Sequence, residues 1–327
     1  MTRPRSQLVS LDATPYYHCI SRCVRQAYLC GEDRFSGKTF DHRKPWLVER
    51  LAVLADVFAI EIAAYSVMSN HYHLVLHINS ARARAWTMDE VIRRWTTLYK
   101  GPDLVQQYKA GDSLPETDML QLAEIVDELR GKLACISKFM ACLNEFIARK
   151  ANLEDGCTGR FWEGRFKSQA LLDEVALLSC MAYVDLNPIR AGIASDLEKS
   201  DFASIQDRIR QIKAFQVPRR KRHESDEVVK PVLMPFKESL QERDAVAVIP
   251  YNLKDYLELT DWTGRVIRPN KRGNIQKTTP QLIQTLGLSD AQWKIVALEI
   301  QKQSITMLNG LDTLAAFQKR AAKQKAA

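Results

Sequence analysis

Two strand-like runs, Glu61–Met68 and His71–Ile78, are separated only by Ser69-Asn70. Both are rich in apolar, aromatic and β-branched residues and the link between them has turn chemistry, so the pair predicts an antiparallel hairpin. The flanking chain extends it. Residues 15–24, Pro-Tyr-Tyr-His-Cys-Ile-Ser-Arg-Cys-Val, have the bias of a first strand. Trp46, Leu47, Leu51, Leu54 and Phe58 recur at helical spacing, as do Leu133, Ile136, Phe139, Met140, Leu143 and Ile147 within Lys132–Lys150. Arg165–Leu171 reads as a further strand. Asp173 reads as the cap of a third helix, with Val175, Leu178 and Ala182 on its buried side and Pro188 and Gly192 as its stop.

The order strand, helix, strand, strand, helix, strand predicts an α+β fold, a ferredoxin-like antiparallel sheet with helices on one face and one extra helix attached. Residues from 80 to about 131 are polar and mostly helical in pattern, interrupted at Gly101-Pro102 and Gly111-Asp-Ser113, and read as an insertion. Three regions are expected: a core over 12–205, a basic linker over 206–250 and a small, mainly helical C-terminal region over 251–327. In the last, Thr279–Gly287, Leu288-Ser-Asp290 and a helix over Ala291–Leu308 have the outline of a helix-turn-helix, an arrangement more often found in plain helix packing.

The 327 residues carry a net charge of +8, unevenly spread. Residues 1–204 hold 25 basic and 26 acidic side chains, whereas 205–327 hold 22 and 13, so the whole excess is C-terminal. A polyanion is the expected partner. The first residues, Met-Thr-Arg-Pro-Arg, lack the apolar core of a signal peptide, and seven cysteines are scattered without a framework. The most apolar window, Leu51–Met68, is broken by Asp56 and Glu61. These features predict a reduced, cytoplasmic, nucleoid-associated protein.

His71 and His73 stand two apart on a strand, so both imidazoles leave the same face, close enough to share one metal ion. A His-x-His pair is also common as plain structure, and His77 has the same parity. Tyr183 and Asn187 stand four apart on the third helix, which presents a phenol and an amide together. Tyrosine is a weak nucleophile near its ordinary pKa and needs positive charge or a metal-activated electrophile beside it. Alone, Tyr183 reads first as a packing residue.

Four blocks occur in order: Tyr16-Tyr-His-Cys-Ile-Ser-Arg22, Tyr65-Ser-Val-Met-Ser-Asn-His-Tyr-His-Leu-Val-Leu76, Gly159-Arg-Phe-Trp-Glu-Gly-Arg-Phe-Lys-Ser168 and Ala182-Tyr-Val-Asp-Leu-Asn-Pro-Ile-Arg-Ala-Gly192. Over roughly residues 12–205 this resembles the single-tyrosine HUH transposases, an IS200-like domain, and in particular the REP-associated tyrosine transposases. The resemblance implies an HUH nuclease domain that cleaves and rejoins single-stranded DNA next to a hairpin. It also implies Mg²⁺ or Mn²⁺ and a 5′-phosphotyrosine intermediate. Carried across, His71 and His73 are the paired metal ligands, Asn187 completes the metal site and Tyr183 is the nucleophile. Ser69 stands where the family usually has proline, the 80–131 insertion exceeds the minimal domain, and the C-terminal region lies outside the resemblance. The missing Walker-type glycine loop accords with chemistry that uses no nucleotide cofactor.

Candidate DNA contacts are Arg22, Arg160, Trp162, Arg165, Lys167 and Arg190 in the core, where cations alternate with aromatics; Phe161 and Phe166 read equally as core. Arg219, Arg220, Lys221 and Arg222, with Arg265, Arg268, Lys271 and Arg272, form two basic runs suited to sequence-independent grip. Cys19, Cys23 and Cys30 beside His18 fit no standard zinc spacing and read as buried thiols. Two other readings stay open: a nucleic-acid binding module or repressor that breaks no bond, and a replication-initiating HUH nickase. Monomer and homodimer are both compatible with the sequence.

Overall fold

The computed structural model describes residues 9–24, 29–32, 37–216, 228–237, 247–267, 280–299, 307–308 and 312. The hairpin forms as expected: β2 (Ile60–Val67) and β3 (His71–Ile78) pair antiparallel across Met68-Ser69-Asn70. β1 (Tyr16–Arg22) lies beside β3, and β4 (Lys167–Leu171) beside β1, both antiparallel. The strand order is β2-β3-β1-β4. Met307–Leu308 (β5) adds a short parallel rung outside β4, so these two residues are strand rather than the end of a helix.

Helices cover both faces of this sheet, not one. Tyr17, Cys19, Tyr72, Leu74 and Leu76 face a core shared with α1 (Arg43–Val57) and α6 (Ile136–Glu154). The alternate positions Ala64, Val75 and Leu171 face α7 (Glu174–Arg190). Both sets are apolar, so each face must be covered; β2 is buried at every residue. A bulge between Ile62 and Ala64 breaks the pairing, and the Ala63 carbonyl accepts a hydrogen bond from Arg208 at 2.8 Å.

The insertion becomes α2 (Ser80–Ala85), α3 (Met88–Thr96), α4 (Asp103–Ala110) and α5 (Glu116–Leu133). Leu122, Val126, Leu129 and Leu133 join the α1–α6 core, so it extends that core. Lys132 and Leu133 end α5, and extended Cys135 separates it from α6, which therefore starts at Ile136 rather than Lys132. Asp173 caps α7, its Oδ1 accepting from the Ala176 N–H at 2.7 Å. Pro188 does not stop the helix: it sits in the last turn, where one lost hydrogen bond is tolerated, and the chain turns at Gly192 with φ +75°.

Beyond residue 203 the described helices pack on the core. α8 (Ser204–Gln216) is followed by Val228–Lys237, which runs along the edge of β2 with the Met234 N–H donating to the Ile62 carbonyl at 2.8 Å. The stretch read as a linker thus contains a helix and an edge contact. α9 (Leu253–Ile267), α10 (Gln281–Thr285) and α11 (Asp290–Glu299) supply Tyr256, Leu259, Ile283, Trp293 and Val296 to the apolar cluster around α7. α9 approaches α7 so closely that a Cβ on Gly264 would lie 2.8 Å from Leu186 Cδ2. Among the described residues, no helix is long and apolar enough to cross a membrane.

Candidate active site

The pleat of β3 puts His71 and His73 on the face covered by α7, with ring centroids 4.9 Å apart. Directly across on β1, Arg22 pairs with His71 and Ile20 with His73. His71 is held by its neighbour, its Nδ1–H donating to Asn70 Oδ1 at 2.6 Å. His73 is fully buried, with Nδ1 2.9 Å from His18 Nε2. His18 in turn reaches Gln169 Oε1 on β4 at 3.4 Å.

α7 lays Tyr183 against this row. Its ring stands edge-on to His73 with centroids 5.5 Å apart, and to His18 at 6.0 Å. The Arg190 guanidinium lies 5.1 Å from the Tyr183 ring centroid. Asn187 sits one helical turn past Tyr183, buried, with Nδ2 lacking any hydrogen-bond partner. The structure therefore brings His71, His73, Tyr183 and Arg190 together and places Asn187 one turn beyond Tyr183 on the same helix.

Burial lowers all three imidazoles. His18 falls to about 4, burial outweighing the Gln169 hydrogen bond; His71 falls to about 4 through burial and then Arg22. His73 drops well below its ordinary value through burial, the two neighbouring imidazoles and Arg190. All are neutral near pH 7, the form in which imidazole ligates a cation. His73 Nε2 is buried with no partner. Asn187, whose amide oxygen and nitrogen exchange by a flip, is also open on one atom. These are the atoms a metal would need, so the residues fit one. Among the described residues, no three His, Cys, Asp or Glu side chains form a metal-binding group.

A cavity of about 400 Å³ opens beside His71, lined by Arg22, Glu163, Arg165 and Lys167 among others. Glu163 lies 3.6 Å from Arg22 Nε, both side chains more than half exposed. Three cations against one carboxylate suit a phosphate-bearing strand. Arg160 is exposed on the preceding loop.

Other sequence candidates fall elsewhere. Trp162 is no exposed stacking platform: it is 9 % exposed, its Nε1–H donates to the Asn144 carbonyl at 2.8 Å, and its ring packs edge-on against Tyr72 and Phe161. Phe161 and Phe166 are core as well. His77 shares the parity of His71 and His73 but lies at the far end of β3, where its Nδ1 meets Glu61 Oε2 at 2.8 Å. Cys19, Cys23 and Cys30 are buried, and the Cys30 thiol donates to the Met68 carbonyl at 2.9 Å. Arg265 is engaged by Asp261 at 2.7 Å and 3.1 Å. Arg219, Arg220, Lys221, Arg222, Arg268, Lys271 and Arg272 lie outside the described residues.

Sequence reasoning gave no part in this site to His18, Gln169, Asn70 or Glu163. His18 had a signal in its even spacing from Ile20 and Arg22 on a strand. Gln169 had none, because its contact depends on β4 pairing with β1.

Behind α7, Asp185 is fully buried and accepts hydrogen bonds from Ser204 Oγ at 2.5 Å, the Ile205 N–H at 3.0 Å and the Tyr256 hydroxyl at 2.5 Å. Burial pushes its carboxyl up to about 6 against the pull of these donors and of Arg208. This carboxylate ties the tyrosine helix to α8 and α9.

No protein-family model matches the sequence, and no curated protein matches it. One solved structure, a REP-associated tyrosine transposase bound to a REP hairpin, aligns at 10 % identity and a TM-score of 0.32, covering 67 % of this chain and 93 % of that one. A likeness of that size carries no argument, and the residues must carry the reading.

Proposed function

We propose that the protein is a transposase-type strand transferase of the single-tyrosine HUH class, built on a ferredoxin-like sheet, that cleaves and rejoins single-stranded DNA beside a hairpin. The observation that carries this reading is the placement of Tyr183 against His73 at 5.5 Å, while His71, two residues before His73 on β3, lines a cavity with Arg22, Arg165 and Lys167. The strand order β2-β3-β1-β4 supports the fold assignment.

Arg22, Arg165 and Lys167 hold phosphates of the strand at the mouth of the site. When bound, a magnesium or manganese ion held by His71, His73 and Asn187 would polarise the scissile phosphate and offset its developing charge. The Tyr183 hydroxyl attacks phosphorus in line. The bond to the 3′-oxygen breaks, the phenol loses its proton and the departing oxygen gains one, leaving a 5′-phosphotyrosine and a free 3′-hydroxyl. Arg190 sets a cation over the Tyr183 ring, 5.1 Å from its centroid, on the helix that carries the attacking residue. Another 3′-hydroxyl attacking the phosphotyrosine reverses the step and joins a new strand, so no nucleotide cofactor is consumed.

The test is incubation of the full chain with Mn²⁺ and end-labelled hairpin single strands. A covalent protein–DNA adduct is expected, and it should vanish in Tyr183→Phe. An adduct that persists in that variant overturns the choice of nucleophile. Tight binding with no cleavage of any single-stranded substrate favours the binding-module reading.

A further inference from the structure

We propose that His18 is a positioning residue that, together with Gln169, fixes the tautomer of His73. The chain of contacts is short and buried. His18 lies on β1 between β3 and β4, 1 % exposed, with Nε2 2.9 Å from His73 Nδ1 and Nδ1 3.4 Å from Gln169 Oε1. A carboxamide oxygen only accepts, so the His18 proton sits on Nδ1. Nε2 of His18 is then a pure acceptor, and His73 must donate to it from Nδ1. That leaves the lone pair of His73 on Nε2, the atom that has no partner in the protein.

His71 reaches the same state by a different route, donating from Nδ1 to Asn70 Oδ1. Both imidazoles are therefore prepared to ligate through Nε2. Metal-bound histidines generally have their second nitrogen held by a carboxylate, a carbonyl or water. Here the holder is a neutral imidazole backed by a neutral amide, which adds no charge to a closed site. The opposite polarity, with Gln169 donating toward His18, would place an N–H on His73 Nε2 and block ligation there.

The tautomer part of this inference stands on the hydrogen bonds and on Gln169 turning its oxygen, not its partnerless Nε2, toward His18; its consequence for metal affinity rests on the function proposed above. The experiment is long-range ¹H–¹⁵N correlation on metal-free, ¹⁵N-histidine-labelled full chain, paired with calorimetric titration of Mn²⁺. Native protein should show His73 as the Nδ1–H tautomer. His18→Phe keeps a ring but removes the acceptor; the His73 signals should shift toward Nε2–H or a mixture, and Mn²⁺ affinity should fall by about 10- to 100-fold. His18→Gln, whose oxygen can accept from His73, should recover part of that loss. Gln169→Leu reads the same relay one bond away if His18→Phe does not fold. An Nε2–H tautomer in the native protein, or a His73 spectrum and Mn²⁺ affinity unchanged in both variants, overturns the proposal. An Nδ1–H tautomer that shifts in His18→Phe, in a native protein that binds no Mn²⁺, upholds the relay and removes the metal from the proposed function.

Discussion

The Tyr256 hydroxyl donates to Asp185 Oδ2 at 2.5 Å, joining α9 to the helix that carries Tyr183 two residues earlier. Both groups are fully buried. α9 is thus attached to the back of the helix that carries Tyr183 by a buried polar contact. Tyr256→Phe should cost about 1–3 kcal/mol, the penalty for stripping one donor from a buried carboxylate. Urea unfolding measures it, and an unchanged midpoint would show that the contact is idle.

Truncation after Gln216 tests the same attachment on a larger scale. Trp293, Val296, Leu259 and Tyr256 cover α7, so removing them exposes an apolar face rather than merely a charged appendage. Charge alone predicts weaker DNA binding with an intact site. The packing predicts loss of cooperative unfolding, seen by near-UV circular dichroism. Trp293→Ala alone should cost about 3–5 kcal/mol.

His71 and His77 make a matched pair on one strand. On the proposed function, His71→Ala should abolish cleavage while leaving hairpin affinity within a few-fold, because it removes a proposed metal ligand but leaves Arg22, Arg165 and Lys167 in the cavity. His77→Ala, bonded instead to Glu61, should leave the chemistry in place. Equal loss of cleavage in both variants would count against a site confined to one end of β3.

The cavity cations give a salt prediction. If Arg165 and Lys167 each neutralise one phosphate of a single strand, the double alanine variant should flatten the slope of log affinity against log salt by about 1.4. Binding titrations at several salt concentrations read this directly. A parallel shift with no change of slope would place both residues off the DNA path.

Acid sensitivity should appear in the insertion. Glu90 accepts hydrogen bonds from Arg93 at 2.9 Å and Arg94 at 2.6 Å, and the Arg93 bond leads in lowering its carboxyl from 4.5 to about 2. A folded-state pKa below the unfolded one gives stability that is present above about 4.5 and lost as pH falls through about 2. The Tm difference between native protein and Glu90→Gln should therefore shrink across that window. A difference that stays constant with pH would show that ionisation of Glu90 contributes nothing.

Much of the local structure was legible in the sequence. The two-residue period fixed His71 and His73 on one face, the helical period fixed Tyr183 and Asn187 on one stripe, and Asp173 marked the start of their helix, because each depends only on backbone geometry within a few residues. Which face of the sheet each helix covers was not legible. Cys19 and His18, adjacent on a strand, must take opposite faces, but only the folded chain puts the α1–α6 core against one and Tyr183 against the other.

Tertiary structure alone turned Trp162 inward, sent His77 to Glu61, and seated α9 and α11 on α7. It also joined His18 to His73 across 55 residues and to Gln169 across 151. The sequence by itself determined which side chains could share a face, through the periods of strand and helix. Only the folded chain decided which faces meet, because that choice depends on burying apolar surface contributed by segments far apart in sequence.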